Sequence, residues 1–287
     1  MDIKLIVPLL PLDKSWVIRM GVLDLRHGQD TTINFLEKEP NLSKDLVALQ
    51  RALKTWNTFE KIDVGESATL FRFLQFLSWV RNLGKEFVLQ GTLMDRKITR
   101  DPEIINYSIE KLLTLDGKTS QWASAAVLCG NLEARIKNPP FKLALTYEAV
   151  WYWRECYAAS KVWKPRPDDT IQEQARAFMD HLDGKSMTFV PQQAEDYCFA
   201  RAFNLITGEE GLSRWPSLVE HESSRIIEME NTINDMRCGR PIKSKDHRVV
   251  QAIAMKAAIK RETLSYENPD CVAKSWPLFW EFMKKVV

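Results

Sequence analysis

Several patterns are missing from this chain of 287 residues. Its five cysteines, Cys129, Cys156, Cys198, Cys238 and Cys271, form no Cys-x-x-Cys pair, and its four histidines stand apart. No structural zinc site, other metal site or disulfide framework is legible, and a reducing compartment is expected. Charge of one sign is lacking too: 40 Lys and Arg face 38 Asp and Glu, for a formal net charge of +2. That balance argues against a nucleic-acid protein held by bulk charge, so any anion site must be local. No apolar run reaches membrane-spanning length, the N-terminal stretch lacks a signal-peptide pattern, and no low-complexity tract occurs. The expectation is a cytoplasmic protein that binds neither membrane nor nucleic acid.

What is present is ordinary globular material, 45% hydrophobic and 27% charged, long enough for one large or two medium domains. Short stretches at 31–36, 59–64, 87–89 and 187–190 read as strands. Longer amphipathic stretches at 16–25, 43–53, 170–182, 197–205 and 249–260 read as helices, several with Ser or Asp at the start. This alternation points to α/β packing. The tract Lys164-Pro-Arg-Pro-Asp-Asp has nothing to bury and reads as an interdomain linker.

The stretch Leu12-Asp-Lys-Ser-Trp-Val-Ile-Arg19 concentrates polar chemistry at a helix start. Asp13 is placed to cap the first turn, Ser15 and Arg19 share a face, and Lys14 stands at the mouth. Amide donors and the positive dipole end favour an anion there. Four further starts carry similar groups: Thr69 with Arg72, Thr119-Ser-Gln121, Glu222 with Arg225, and Asp246-His-Arg248. Read one at a time, each would serve equally well as a capped, solvated first turn. If they converge, they would hold a ligand with several negative charges.

In order along the chain, these segments resemble the 5-enolpyruvylshikimate-3-phosphate synthase family, the 3-phosphoshikimate 1-carboxyvinyltransferases. Lys14-Ser…Arg19 is similar to the family's N-terminal motif, and Gly65-Glu-Ser-Ala-Thr-Leu-Phe-Arg72 to its Gly-Asn-Ala-Gly-Thr-Ala-Met-Arg signature. Val88-Leu-Gln-Gly91 followed by Arg96 resembles a loop that presents an arginine. Thr119-Ser-Gln121 stands for Ser-Ser-Gln, and His221-Glu-Ser-Ser-Arg225 for Lys-Glu-Ser-Asp-Arg. Lys245-Asp-His-Arg248 stands for Asn-Asp-His-Arg, and Cys271-Val-Ala-Lys274-Ser-Trp-Pro for the family's closing motif.

The resemblance implies a fold and a reaction. The fold would be α/β, two similar domains of repeated βαβαββ units (an inside-out barrel) that close on substrate, with the second half trimmed. Residues 13–163 would form the shikimate 3-phosphate side, and residues 1–12 plus 164–287 the phosphoenolpyruvate side, with the catalytic arginines and Lys274. The reaction would move the enolpyruvyl group from phosphoenolpyruvate to the 5-hydroxyl of shikimate 3-phosphate, without metal or organic cofactor, in a monomer. Lys14, Thr69, Arg96, Arg225, Arg248 and Lys274 would bind phosphoenolpyruvate. Ser15, Arg19, Thr119, Ser120 and Gln121 would bind shikimate 3-phosphate. Lys14, Glu222 and Lys274 would be catalytic.

The chain also departs from that pattern. It is short between Gln121 and Arg225, by about the length of one βαβαββ unit on the family's architecture. Where the family places a catalytic aspartate after proline, this chain reads Pro191-Gln-Gln-Ala-Glu-Asp196, so Gln192, Gln193, Glu195 and Asp196 all stand near the expected base. An active transferase, a relative that binds a phosphorylated ligand without turnover, and a non-catalytic α/β scaffold are the readings that follow.

Overall fold

Asp13 lies in extended conformation and its carboxylate accepts from the Trp16 amide at 3.0 Å, which starts helix α1 at Lys14. The helix runs to His27 and ends at Gly28, whose φ of 65° suits a residue without Cβ. The computed structural model describes residues 6–132, 135–157, 165–219 and 224–287. The chain divides into two units, Asp13–Pro165 and Met1–Leu12 with Arg166–Val287.

In the 13–165 unit, α1 is followed by α2 (Thr31–Leu36), α3 (Lys44–Thr55), β1 (Ile62–Asp63), α4 (Ala68–Val80), β2 (Phe87–Val88), α5 (Gln121–Leu128) and α6 (Phe141–Tyr152). Strands β1 and β2 pair in parallel, Ile62 opposite Phe87 and Asp63 opposite Val88, with α4 as the crossover. Helix α4 is apolar on most of its surface and is correspondingly buried, with Phe71, Phe73 and Phe76 fully out of water. Each such aromatic contributes about 1.5–3 kcal/mol by burial. It packs on α5, where Ala123, Ala125 and Ala126 allow close approach and Trp122 fills the remaining space.

The second unit holds α7 (Asp169–Leu182), α8 (Tyr197–Ala202), α9 (Gly208–Arg214), α10 (Arg225–Arg237), α11 (His247–Lys260) and α12 (Phe279–Val286). Helix α11 is its axis: it packs on α8, on α10 and on the 3-10 turn Pro269–Lys274. Phe178, Tyr197, Phe199, Trp276, Phe279 and Phe282 form the core around it. Trp276 donates its indole N–H to the Leu9 carbonyl at 2.7 Å, which ties the N-terminal segment into this unit. A capping box of Thr207 and Glu210 opens α9 and brings Gly211 against the Tyr197 ring. A methyl at position 211 would sit 2.4 Å from Tyr197 Cε2. Gly211→Ala is therefore expected to cost about 1–3 kcal/mol in chemical denaturation through overpacking; a loss below about 0.5 kcal/mol would contradict this packing.

The architecture is mostly helical with one two-stranded parallel sheet, which is compatible with an α/β protein. The expected repeated βαβαββ units do not appear among the described residues. Beyond β1 and β2, only isolated bridges occur there, Leu12 with Pro167 and Ile242 with Tyr266. Residues 31–36, expected as a strand from their β-branched start, form α2 instead. The backbone N–H and hydroxyl of Thr32 both donate to the buried Asp24 carboxylate at 2.7 Å, and this tertiary anchor overrides local β-propensity. Residues 187–190 take no strand partner. Val190 is exposed, Pro191 cannot donate to a ladder, and Phe189 packs edge-on against Phe199 at 4.9 Å instead.

Candidate functional sites in the two units

Each unit gathers its own set of the residues singled out by sequence. In the 13–165 unit, Lys14 opens α1 and donates to Asp45 Oδ2 at 2.6 Å, with Asp45 on the first turn of α3. Ser15 accepts from the Lys142 ammonium at 3.2 Å, which puts a cation beside the hydroxyl. Arg19 is buried and its donors reach protein oxygens: Nε to Thr146 Oγ1, Nη1 to the Ser15 carbonyl and Nη2 to the Lys142 carbonyl, each 2.8 Å. Its guanidinium also lies 5.4 Å over the Phe73 ring. Arg19 thus ties α1 to α6 and fixes where Ser15 and Lys142 sit.

A second group surrounds the start of α5. Asp116 stands in a turn with φ 46° and ψ 54°, and its buried carboxylate accepts four hydrogen bonds. These come from Arg72 Nε at 2.8 Å, the Thr99 amide at 3.0 Å, the Thr99 hydroxyl at 2.7 Å and Trp122 Nε1 at 2.8 Å. Burial pushes the Asp116 carboxyl up, but the Arg72 charge and the Thr99 donors outweigh it and hold it below its ordinary value. Arg72 is shifted down by burial, with Asp116 opposing that shift and the charge of Arg96 adding to it. Arg72 Nη1 also donates to Gln121 Oε1 at 2.5 Å. Thr119 accepts from the Gln121 amide, Ser120 occupies the N-cap of α5, and Thr69 lies half-buried on the first turn of α4. Arg96 donates to the Thr92 hydroxyl at 3.3 Å.

In the other unit, Arg225 begins α10 and Asp246 caps α11. Arg225 Nε donates to Asp246 Oδ2 at 2.8 Å, while Asp246 Oδ1 accepts from the Arg248 amide at 2.9 Å. The Asp246 amide in turn donates to Ser244 Oγ at 3.1 Å. Arg248 is 5% exposed, and its Nε and Nη1 have no hydrogen-bond partner among the described residues. Cys198 lies within reach of these charges, yet burial pushes its thiol up to about 12, so it is a packing residue. Lys274 ends the turn Pro269–Lys274 and is buried. Gln251 of α11 holds that turn, donating to the Val272 carbonyl at 3.3 Å and to Ser275 Oγ at 3.1 Å.

Glu222 lies outside the described residues, as does His221. Of the four residues near the expected base, Asp196 is spent on local structure. It accepts from the Gln192 amide, the Gln193 amide and Gln174 Nε2, and burial raises its pKa. Gln193 donates to the Thr170 hydroxyl. Sequence reasoning did not pick out Asp45, Lys142 or Asp116. Each partners a candidate residue far away along the chain, and no periodicity or motif carries that information. Among the described residues no cluster of three His, Cys, Asp or Glu could hold a metal ion. No helix of the described residues is long and apolar enough to cross a membrane.

Comparison with known proteins adds one local likeness. Over 56 residues the chain is 34% identical to a 3-phosphoshikimate 1-carboxyvinyltransferase of Clostridium perfringens (strain 13 / Type A). The likeness is partial. It covers 20% of this chain and only 13% of that relative. No family model and no solved structure matches the chain.

Proposed function

We propose that this chain transfers the enolpyruvyl group of phosphoenolpyruvate to the 5-hydroxyl of shikimate 3-phosphate. The observation that carries the reading is the Arg225–Asp246–Arg248 arrangement. It buries a guanidinium two of whose nitrogens find no acceptor among the described residues, which suits a ligand carrying both a phosphate and a carboxylate. The short likeness to a carboxyvinyltransferase supports the same reading.

In this reading the two units divide the substrates, as a reduced form of the family's two-domain architecture. Ser15, Arg19, Thr119, Ser120 and Gln121 bind shikimate 3-phosphate. Arg225, Arg248 and Lys274 bind phosphoenolpyruvate. In the first step the 5-hydroxyl oxygen bonds to C2 of phosphoenolpyruvate, its proton passes to a base, and C3 gains a proton. In the second step the C2–O bond to phosphate breaks, phosphate leaves with the electron pair, and C3 returns a proton. Cationic groups stabilise the departing phosphate. Lys274 supplies that charge, and Glu222 with Lys274 handles the C3 proton.

A second reading, binding of the same ligands without turnover, is favoured by one observation: three donors already occupy the Asp196 carboxylate. A coupled assay of phosphate release with both substrates separates the two. Steady release at micromolar chain is expected. If calorimetry registers both ligands while no phosphate appears, the binding-only reading replaces the transferase. If neither ligand binds, both readings fail.

A further inference from the structure

We infer that Asp116 is a positioning residue that fixes Gln121 as a hydrogen-bond donor toward an oxyanion ligand. This inference rests on the shikimate 3-phosphate reading of Gln121.

A glutamine amide has two faces, one accepting and one donating, and little in the side chain itself decides which faces a ligand. Arginine decides it here, because a guanidinium only donates. Arg72 Nη1 points at Gln121, so the amide oxygen must turn toward it, at 2.5 Å. The amide nitrogen is then directed away from Arg72 and is available to an acceptor oxygen. Arg72 can do this only if its plane is fixed, and Asp116 fixes it by accepting from Nε at 2.8 Å.

The rest of the turn holds Asp116 in place. Thr99 supplies two donors from the segment that follows Arg96, and Trp122 supplies a third from the first turn of α5. Asp116 and Lys118 both adopt positive φ, 46° and 63°, around Gly117. Non-glycine residues keep such conformations when the surroundings over-determine them. With Arg72 and Asp116 both buried, solvent screens the arrangement little. One carboxylate therefore aligns α4, the 92–101 segment and the α5 start around a single amide.

The test is calorimetric titration of the full chain with shikimate 3-phosphate. Asp116→Asn removes the charge that faces Arg72 and leaves one accepting oxygen for four donors, and is expected to raise Kd by about tenfold or more, the worth of one misdirected charge-assisted contact. Trp122→Phe removes one donor to Asp116 while keeping an aromatic ring beside the Arg72 guanidinium. It is expected to lower Tm but to leave Kd within about twofold. Arg72→Lys covers the case in which Asp116→Asn does not fold. It keeps the charge beside Asp116, loses the Nη1 donor, and is expected to weaken binding by about tenfold. A folded Asp116→Asn or Arg72→Lys that binds as the parent does overturns the inference and leaves the functional reading standing. The same holds if Trp122→Phe weakens binding as much as Asp116→Asn, since Asp116 would then be scaffold. A parent chain that binds no shikimate 3-phosphate removes the functional reading, and the inference with it.

Discussion

Arg248→Met is expected to weaken phosphoenolpyruvate binding by about tenfold to a hundredfold, the worth of one or two hydrogen bonds from a charged donor. The same change is expected to leave Tm unchanged or raise it. The two effects have opposite sign for one reason. Burying N–H groups without acceptors costs free energy in the folded chain, and that cost is recovered only when an acceptor arrives. Methionine keeps much of the length and apolar stem of arginine while discarding those donors. Calorimetry with phosphoenolpyruvate and a thermal melt on one preparation check both halves. A steep fall in Tm with unchanged affinity would make Arg248 a structural residue and remove the observation on which the proposed function stands.

Asp246→Ala is expected to have the largest effect on stability, about 3–5 kcal/mol, the range for breaking one side of a buried ion pair. The Asp246 side chain is fully buried and Arg225 opposite is 5% exposed, so removal of the carboxylate leaves a cation with little water to replace it. The α11 cap from Asp246 to the Arg248 amide goes as well. Urea denaturation measures the loss, and a value below about 1 kcal/mol would show the pair is not the anchor its geometry describes. The double variant Asp246→Ala with Arg225→Met should recover part of the loss, because it no longer buries a cation that has lost its carboxylate. The Lys14–Asp45 pair is more open, with side chains 20% and 9% exposed, so its loss is expected to cost less.

Local features of this protein were legible where local physics decides them. Asp13 caps α1 as its position before Lys14-Ser-Trp predicts, and the helix expected from Ser43 runs over Lys44–Thr55. The stretches expected as strands at 59–64 and 87–89 each contain one strand of the parallel pair. Where tertiary contacts compete, the same reasoning gave way. Residues 31–36 have the composition of a strand, but the buried Asp24 carboxylate fixes Thr32 and a helix forms. Residues 187–190 have β-forming side chains but no neighbouring edge to pair with among the described residues.

Taken alone, the sequence established which residue types could attract an anion and at which helix starts they stand. It also set the near-neutral charge that makes any such site local. Only the tertiary structure decided which of those groups are engaged and by what. Arg225 meets an aspartate 21 positions away, Lys14 one 31 away and Arg72 one 44 away. The physical reason is range. Capping and amphipathic periodicity act within a few residues and can be read along the chain. Ion pairs between buried side chains depend on how helices pack, and packing is set by the whole apolar surface at once. Lys14 thus reads in sequence as a free cation at a helix mouth, and in the fold as the partner of Asp45. Arg248 reads in sequence like any other helix start, and in the fold as a buried guanidinium whose Nε and Nη1 find no acceptor among the described residues.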